Sequence, residues 1–276
     1  MAGVTNKAKL LDDLRVEAGA AAHLDRRDPG VRIGAADKQA GVERLQELVL
    51  ELGMLHNRLT AEGSRALLLV LQGMDASGKD GTIRNVLSGI NPQGCRVVAF
   101  REPTTTDLAH DFLWRVHAVC PARGEIGIFN RSHYEDVVAV RVRGLAPEHV
   151  WRPRYEHIRA FESLLTGEGT MVVKVFLHVS QEEQGKRLQE RLDNPEKRWK
   201  FRAGDLADRD RWDDFQRAYE DAIRETSTKH APWYVVPADH NWVRNLCVAE
   251  ILVEVLERLD PRLPPPDPAV GQLEVR

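Results

Sequence analysis

The sequence predicts an α/β fold of three layers: one five-stranded parallel sheet with helices on both faces. Three observations lead there. Five short apolar runs, at 65–72, 95–100, 127–129, 170–178 and 233–237, have strand length and alternate with segments of helical character; strands interleaved with helices fold as parallel sheets. The run at 170–178, with Met171, Val172, Val173, Val175, Phe176 and Leu177, is almost continuously apolar, as suits a parallel strand buried on both faces. The first run ends abruptly at Gly73, in a glycine-bounded loop that opens a helix, and such a loop presents backbone N–H groups to an anion.

Residues 1–37 carry mixed charge and small residues, with Gly30 and Gly34. They read as an irregular arm, packed on the domain or partly disordered. Lys7, Lys9, Arg26 and Arg27 offer positive charge to an anionic substrate, although a merely solvated arm is the better reading of them. From Lys38 to Thr60, apolar residues recur at Val42, Leu45, Leu48, Val49, Leu52, Leu55 and Leu59, a helical stripe that packs on the sheet or on a partner subunit. The first strand and the glycine loop follow, with a helix reaching about Gly89. Asn91-Pro92-Gln93-Gly94 is turn chemistry before the second strand. Arg101–Thr106 is a polar loop, and Leu108–Val119 reads as helical. The third strand ends in Asn130-Arg131-Ser132-His133-Tyr134-Glu135-Asp136. A helical pattern covers about 147–165; after the fourth strand come the highly charged stretch 180–201 and a long polar helical pattern over 203–228. The fifth strand precedes a final amphipathic helix from Asn241 to Leu259. One domain, 38–260, carries a lid at about 180–207, and a proline-rich tail occupies 261–276. Ligands of parallel sheets sit at the carboxyl ends of the strands, so the loops at 73–81, 101–106 and 130–136 share one edge.

Composition narrows the partners. The 276 residues are 42% hydrophobic and 29% charged with a formal net charge of −3, which gives no global basic character for nucleic acid. Any polyanion site is a local basic patch. Cys95, Cys120 and Cys247 have no zinc or redox spacing, and a reduced cytoplasmic setting fits. No uncharged apolar run approaches the ~20 residues that span a bilayer, so no membrane partner is expected, and the start of the chain lacks the apolar core of a signal peptide.

The glycine loop carries the chemistry. Gly73, four intervening residues, Gly78 and Lys79 have the spacing of a phosphate-binding P-loop. Its inward N–H groups, from Gly73 through Ala76, Ser77, Gly78, Asp80 and Gly81, form a nest for phosphate oxygens, and the helix N-terminus adds partial positive charge. Lys79 reaches the terminal phosphates. Two departures stand out. Asp80 replaces the usual Ser or Thr, and Asp75 places a carboxylate inside the loop. An acid beside phosphate is unfavourable unless a cation lies between them, so Asp75 is read as a magnesium-side residue.

The second constellation is the loop after the third strand. Arg131 has the planar fork that clamps phosphate, and Asp136 is the acid that arrives opposite the P-loop for a second magnesium contact; an exposed charged turn would look similar. The third is the basic run Arg187, Arg191, Lys197, Arg198, Lys200 and Arg202, interleaved with Trp199 and Phe201. Arg187 and Arg191 share a helix face, and cations of a lid neutralise a transferring phosphoryl group. The i,i+4 pairs Glu182–Lys186 and Glu183–Arg187 also suit a merely solvated helix. His110, His117 and His133 match no zinc pattern.

Together, Gly73–Ile83, Phe129–Asp136 and the lid segment Arg187–Phe201, with Asp107–Arg115 and Ala231–Tyr234, resemble polyphosphate kinase type 2 over about residues 38–260. The acid inside the P-loop is the most specific mark. The resemblance implies a P-loop kinase-like fold with a helical lid. It implies magnesium-dependent phosphoryl transfer, with manganese as an alternative ion, between inorganic polyphosphate and an adenine or guanine nucleotide. By motif match, Asp75 and Asp136 organise the metal, Lys79 and Arg131 bind the reacting phosphates, and Arg187 and Arg191 are lid cations. Arg198 and Lys200 are assigned to the phosphate chain, and Asn130, Arg131 and Arg101 to the nucleotide. Phe129–Asp136 resembles the subgroup acting on both AMP and ADP; another subgroup has aspartate where Asn130 stands. A homo-oligomer is expected. Three competing readings remain: an ATP-dependent nucleoside monophosphate kinase, which Asp75 counts against; a GTPase switch, which lacks its Ser or Thr and guanine motif here; and a non-catalytic nucleotide-binding scaffold.

Overall fold

The computed structural model describes residues 7–266. The strands are β1 (Arg15–Val16), β2 (Ala66–Gln72), β3 (Cys95–Ala99), β4 (Ile126–Asn130), β5 (Thr170–His178) and β6 (Trp233–Pro237). The helices are α1 (Lys7–Leu14), α2 (Lys38–Glu62), α3 (Lys79–Val86), α4 (Thr105–Leu108), α5 (Trp114–His117) and α6 (Ala139–Val142). They continue with α7 (Glu148–Trp151), α8 (Arg154–Gly167), α9 (Gln181–Asp193), α10 (Ala203–Asp210), α11 (Trp212–Thr226) and α12 (Asn241–Leu259).

Among the described residues the sheet has six strands, in the order β1-β6-β5-β2-β4-β3. β2 through β6 are the five parallel strands the sequence predicts. The sixth corrects the reading of the arm as irregular. α1 buries Leu10 and Leu14, and β1 pairs antiparallel with β6, Arg15 opposite Tyr234 and Val16 opposite Trp233. Leu10, Leu14 and Val16 are its buried apolar residues, with Leu11 packed beside them, and the charged residues between them hid the pattern. Lys7 meets Glu254 and Glu257 of α12, and Arg27 donates to the carbonyls of Ala22 and Asp13. Both cations are thus spent on the fold. Residues 1–6, and 267–276 of the expected tail, lie outside the described residues.

Every residue of β2 is buried, and all of β5 except Met171, because each lies between two neighbours in the sheet and beneath helices on both faces. α12 is buried almost all round, packed between the sheet and α2. α2 starts at the Asp37 cap, whose carboxylate accepts from Ala40 N–H, and stops at Gly63 in the left-handed region. Two segments predicted as single helices are split. Pro153 separates α7 from α8, and Arg211 separates α10 from α11. A proline cannot donate to the carbonyl four residues back; at Arg211, sequence periodicity carries across the break. Of the helix predicted over 108–119 only α5 forms, and α4 begins inside the segment predicted as a polar loop.

Register fixes the functional edge. Leu71 lies beside Asn130 on β4 and Val175 on β5, and Ala99 lies beside Asn130. The chain therefore leaves β2, β3 and β4 at one edge, where the three predicted loops meet.

Candidate active site

β2 delivers Gly73 to the sheet edge with φ +148, where an added Cβ would meet the Leu177 carbonyl at 2.8 Å. Ala76 takes φ +62, a left-handed conformation that costs a non-glycine residue ~1–2 kcal/mol. The loop closes through Ser77 N–H donating to the Met74 carbonyl, and α3 starts at Gly78. Lys79 folds over this loop, donating to the carbonyls of Gly73 and Met74 at 2.7 and 3.1 Å. Burial pulls its pKa down to about 8, with the Arg131 charge adding to the effect and Asp75 opposing it.

Arg131 is the second left-handed residue, at φ +62, its N–H bonded to the Leu71 carbonyl. That turn swings its side chain off the end of β4 and onto Asp75, with which it is hydrogen-bonded. Its other nitrogen lies 3.7 Å from Glu135. Burial pushes the Asp75 carboxyl up, but Arg131, Lys79 and Arg191 outweigh it and hold the group below its ordinary range. Asp80 accepts from Asn130 at 2.8 Å and faces Lys200 of the lid at 3.6 Å. The residue after the P-loop lysine thus joins α3, the end of β4 and the lid.

These groups border a cleft of about 820 Å³ between the sheet edge and the lid. Among the described residues, ten lysines and arginines line it against five carboxylates, in a chain of net charge −3. The positive patch is therefore local, and its excess of cations suits a polyanion. Of the predicted residues, Asp75, Ala76, Gly78, Lys79, Asp80 and Gly81 line it, as do Arg101, Asn130, Arg131, Arg191 and Lys200. Ser77 is fully buried beneath the loop, and Gly73 borders a smaller adjoining pocket with Asp75, Glu135 and Tyr219.

Three predicted residues are placed elsewhere. Asp136 does not line the cleft. Its carboxylate lies 3.4 Å from Arg154 and 3.7 Å from Arg115, and Arg154 also holds its carbonyl at 2.9 Å. In the short helical turn His133–Asp136 it faces these two arginines, outside the cleft and the adjoining pocket that Asp75 lines. Glu135 is the acid of this turn that stands near Arg131 and Asp75. Arg187 lies behind the P-loop, donating to the carbonyls of Ala76, Ser77, Ala238 and Asp239. Arg198 donates to the Leu192 carbonyl at the end of α9.

The cleft also holds residues to which sequence reasoning gave no role in the site. Arg84 is four residues after Asp80 and so shares its helix face, a signal that was available. Arg143 donates to Asp208 through Nε and Nη2, and Arg191 lies 3.8 Å from Asp205. Nothing local marks Arg143, Asp205 or Asp208, because α6 and α10 meet only in the folded chain.

The donor set admits a magnesium ion. Asp75 is a carboxylate facing the phosphate cradle, and magnesium binds through one or two carboxylates with substrate phosphates and water supplying the rest. No group of three or more His, Cys, Asp or Glu side chains suited to a metal occurs among the described residues, so the phosphate oxygens would complete the shell.

Comparison with known proteins points the same way. A family model described as polyphosphate kinase 2 (PPK2) matches residues 35–264. The chain is 58% identical over 238 residues to the AMP/ADP-polyphosphate phosphotransferase of Meiothermus ruber, covering 86% of this chain and 89% of that one. It is 48% identical to the ADP-polyphosphate phosphotransferase of Rhodopseudomonas palustris, covering 82% and 83%. The crystal structure of polyphosphate kinase 2 from Arthrobacter aurescens TC1 superposes with a TM-score of 0.91 at 40% identity, covering 99% of this chain and 97% of that one.

Proposed function

Because the chain belongs to the polyphosphate kinase 2 family, we propose that it transfers a phosphoryl group between inorganic polyphosphate and ADP or AMP. The observation that carries this reading is the P-loop with its own carboxylate, Asp75 bonded to Arg131, at the floor of a cleft with twice as many cations as acids. The competing readings explain neither the internal acid nor a cleft long enough in positive charge for a chain of phosphates.

The terminal phosphate oxygen of ADP is already ionised at neutral pH and needs no general base. It attacks the terminal phosphorus of polyphosphate; the bridging P–O bond breaks, and its electron pair stays on the shortened chain. The protein's task is alignment and neutralisation of charge. Amides of Gly78 to Gly81 grip one phosphate, Lys79 leaves its carbonyl partners for the transferring group, and Arg131 clamps it from the β4 side. Arg191 and Lys200 close from the lid. Magnesium, held by Asp75, would neutralise the oxygens that face that acid; manganese is the alternative ion. Asn130 and Arg101 line the end of the cleft near β3 and are assigned to the nucleotide, whose base is adenine or guanine. Asn130 is neutral where a related subgroup carries aspartate, which fits acceptance of AMP as well as ADP. The proposal includes a homo-oligomer and a reduced cytoplasmic setting; for the latter, Cys95, Cys120 and Cys247 are free thiols.

The test is an assay with long-chain polyphosphate as sole donor and magnesium. ATP should form from ADP, and ADP from AMP. Failure to form either product, with phosphate moving only from ATP to AMP, would establish the monophosphate kinase instead.

A further inference from the structure

Behind the P-loop, on the side away from the cleft, lies a charge that the chain does not neutralise. Arg244 stands in the first turn of α12 and is 2% exposed. Its guanidinium packs on the glycines of the loop: a Cβ at Gly78 would fall 1.9 Å from Nη1, and one at Gly81 would fall 3.0 Å from Nη2. Its hydrogen-bond acceptors are the neutral side-chain oxygens of Asn241, at 2.6 Å, and Asn245, at 3.0 and 3.2 Å. Among the described residues no carboxylate forms an ion pair with it. Burial, with the neighbouring Arg187 charge, lowers its pKa to about 10, so it stays charged at neutral pH.

The surroundings make this cation less favourable still. It lies at the N-terminal ends of both α3 and α12, where helix dipoles put partial positive charge. Arg187, itself paired with Glu183 at 2.9 Å, adds a second guanidinium on the same rear face, bonded to the Ala76 and Ser77 carbonyls. In a trans peptide the following N–H points opposite the carbonyl, so holding the Ser77 carbonyl from behind aims Gly78 N–H forward. Buried charges are usually paired. Among the described residues Arg244 has no acid to meet it, and the complement it shares with the two helix N-termini is an anion in the loop itself.

We propose that Arg244 is a positioning residue for the phosphate chain, a guanidinium set behind Gly78 and Gly81 whose charge strengthens the cradle from outside it. It touches no substrate. It acts through the loop, by filling the space that keeps Gly78 and Gly81 in place and by adding an unscreened positive field in a low-dielectric setting. The inference rests on the reading that this cleft binds a phosphate chain.

Tripolyphosphate binding with magnesium, measured by calorimetry, tests it alongside thermal melting of each protein. The wild type must bind; if it does not, the functional reading fails, independently of Arg244. Given wild-type binding, Arg244→Met should weaken affinity about tenfold or more. Its melting temperature should hold or rise, because removing an unpaired buried charge relieves the fold. Arg244→Lys keeps the charge without the fork and should recover affinity to within about threefold of wild type. A purely structural role would make both variants equally weak. Unchanged affinity in Arg244→Met, or equal losses in the two variants, overturns the proposal. Should the Met variant not fold, Arg244→Gln replaces it, with the same two results deciding.

Discussion

Arg131 and Tyr134 are three residues apart, yet they belong to charge clusters of opposite design. Tyr134 lies in a sealed one. Lys174, fully buried on β5, donates to Glu162 at 2.5 Å, to Tyr134 at 3.2 Å and to the Thr226 carbonyl at 2.7 Å. Tyr134 in turn donates to Glu162 at 2.8 Å, and Trp233 to Thr226 at 2.9 Å. One cation meets one carboxylate, and the surrounding hydroxyls and indole complete the partners. Burial pushes the Glu162 carboxyl up, but Lys174 and His133 more than offset it, so the acid stays ionised. Arg131 lies in an open cluster, where cations outnumber acids and several present partners are ones a ligand can displace. Lys79 rests on two carbonyls, Lys200 reaches Asp80 across 3.6 Å, and the Asp80 side chain is 62% exposed. The same residue types thus do two jobs. Closed and balanced, they tie β5, α8 and α11 together; open and in excess, they wait for an anion.

The largest effect should come from breaking the sealed cluster. Lys174→Ala leaves Glu162 buried without its cation, and such losses are worth about 3–5 kcal/mol. Chemical denaturation should show it as a large fall in midpoint. A double variant, Lys174→Met with Glu162→Leu, should recover much of the loss. If the single change were tolerated, the cluster would not be the fixed part of the comparison.

In the open cluster the effects should fall on rate. Lys79→Ala and Asp75→Asn should each slow polyphosphate-driven ATP formation by about 100-fold or more, with the denaturation midpoint little moved. Asp75→Asn should also raise the magnesium concentration needed for half-maximal rate. Near-normal turnover in Asp75→Asn would remove its metal role.

The two clusters were unequally legible in the sequence. Gly73, Gly78 and Lys79 were readable because a phosphate nest needs those residue types at that spacing, and Asp75 because an acid inside the loop is chemically anomalous. The five parallel strands were readable because two-sided burial demands apolar runs. The sealed cluster was invisible. Lys174 interrupts an apolar strand, and its partners come from α8 and α11, joined only by the fold. The arm was misread for a related reason: two residues of strand and a short charged helix carry too little pattern.

A smaller and reversible effect follows from Lys79. Its pKa is drawn down from 10.5 to about 8 by burial, and a phosphate chain favours the charged form. Above about pH 8 the ligand must therefore bind together with a proton, and its affinity declines as pH rises. Tripolyphosphate affinity should change little between pH 6.5 and 7.5, then fall by at most tenfold per unit above about 8, the limit for one linked proton. Lys79→Arg should lose that decline, since its group stays protonated throughout. A wild-type profile flat to pH 9.5 would show that the lysine is not the linked group.

The smallest effect on function should belong to Asp136, and it sharpens the boundary between the clusters. A short turn separates it from Arg131, and from sequence alone it was expected to hold the metal together with Asp75. Its carboxylate instead faces Arg115 and Arg154, and burial raises its pKa although both arginines oppose the shift. An acid already bracketed by two guanidiniums has little field left for a divalent ion. Asp136→Asn should therefore leave the magnesium requirement within about twofold of wild type, while loss of a charged hydrogen bond lowers stability by about 1–2 kcal/mol. The informative comparison is with Asp75→Asn under the same magnesium titration. Equal shifts in the two variants would mean that Asp136 turns toward the cleft when phosphate binds; a shift in Asp75→Asn alone would confine the metal to the P-loop.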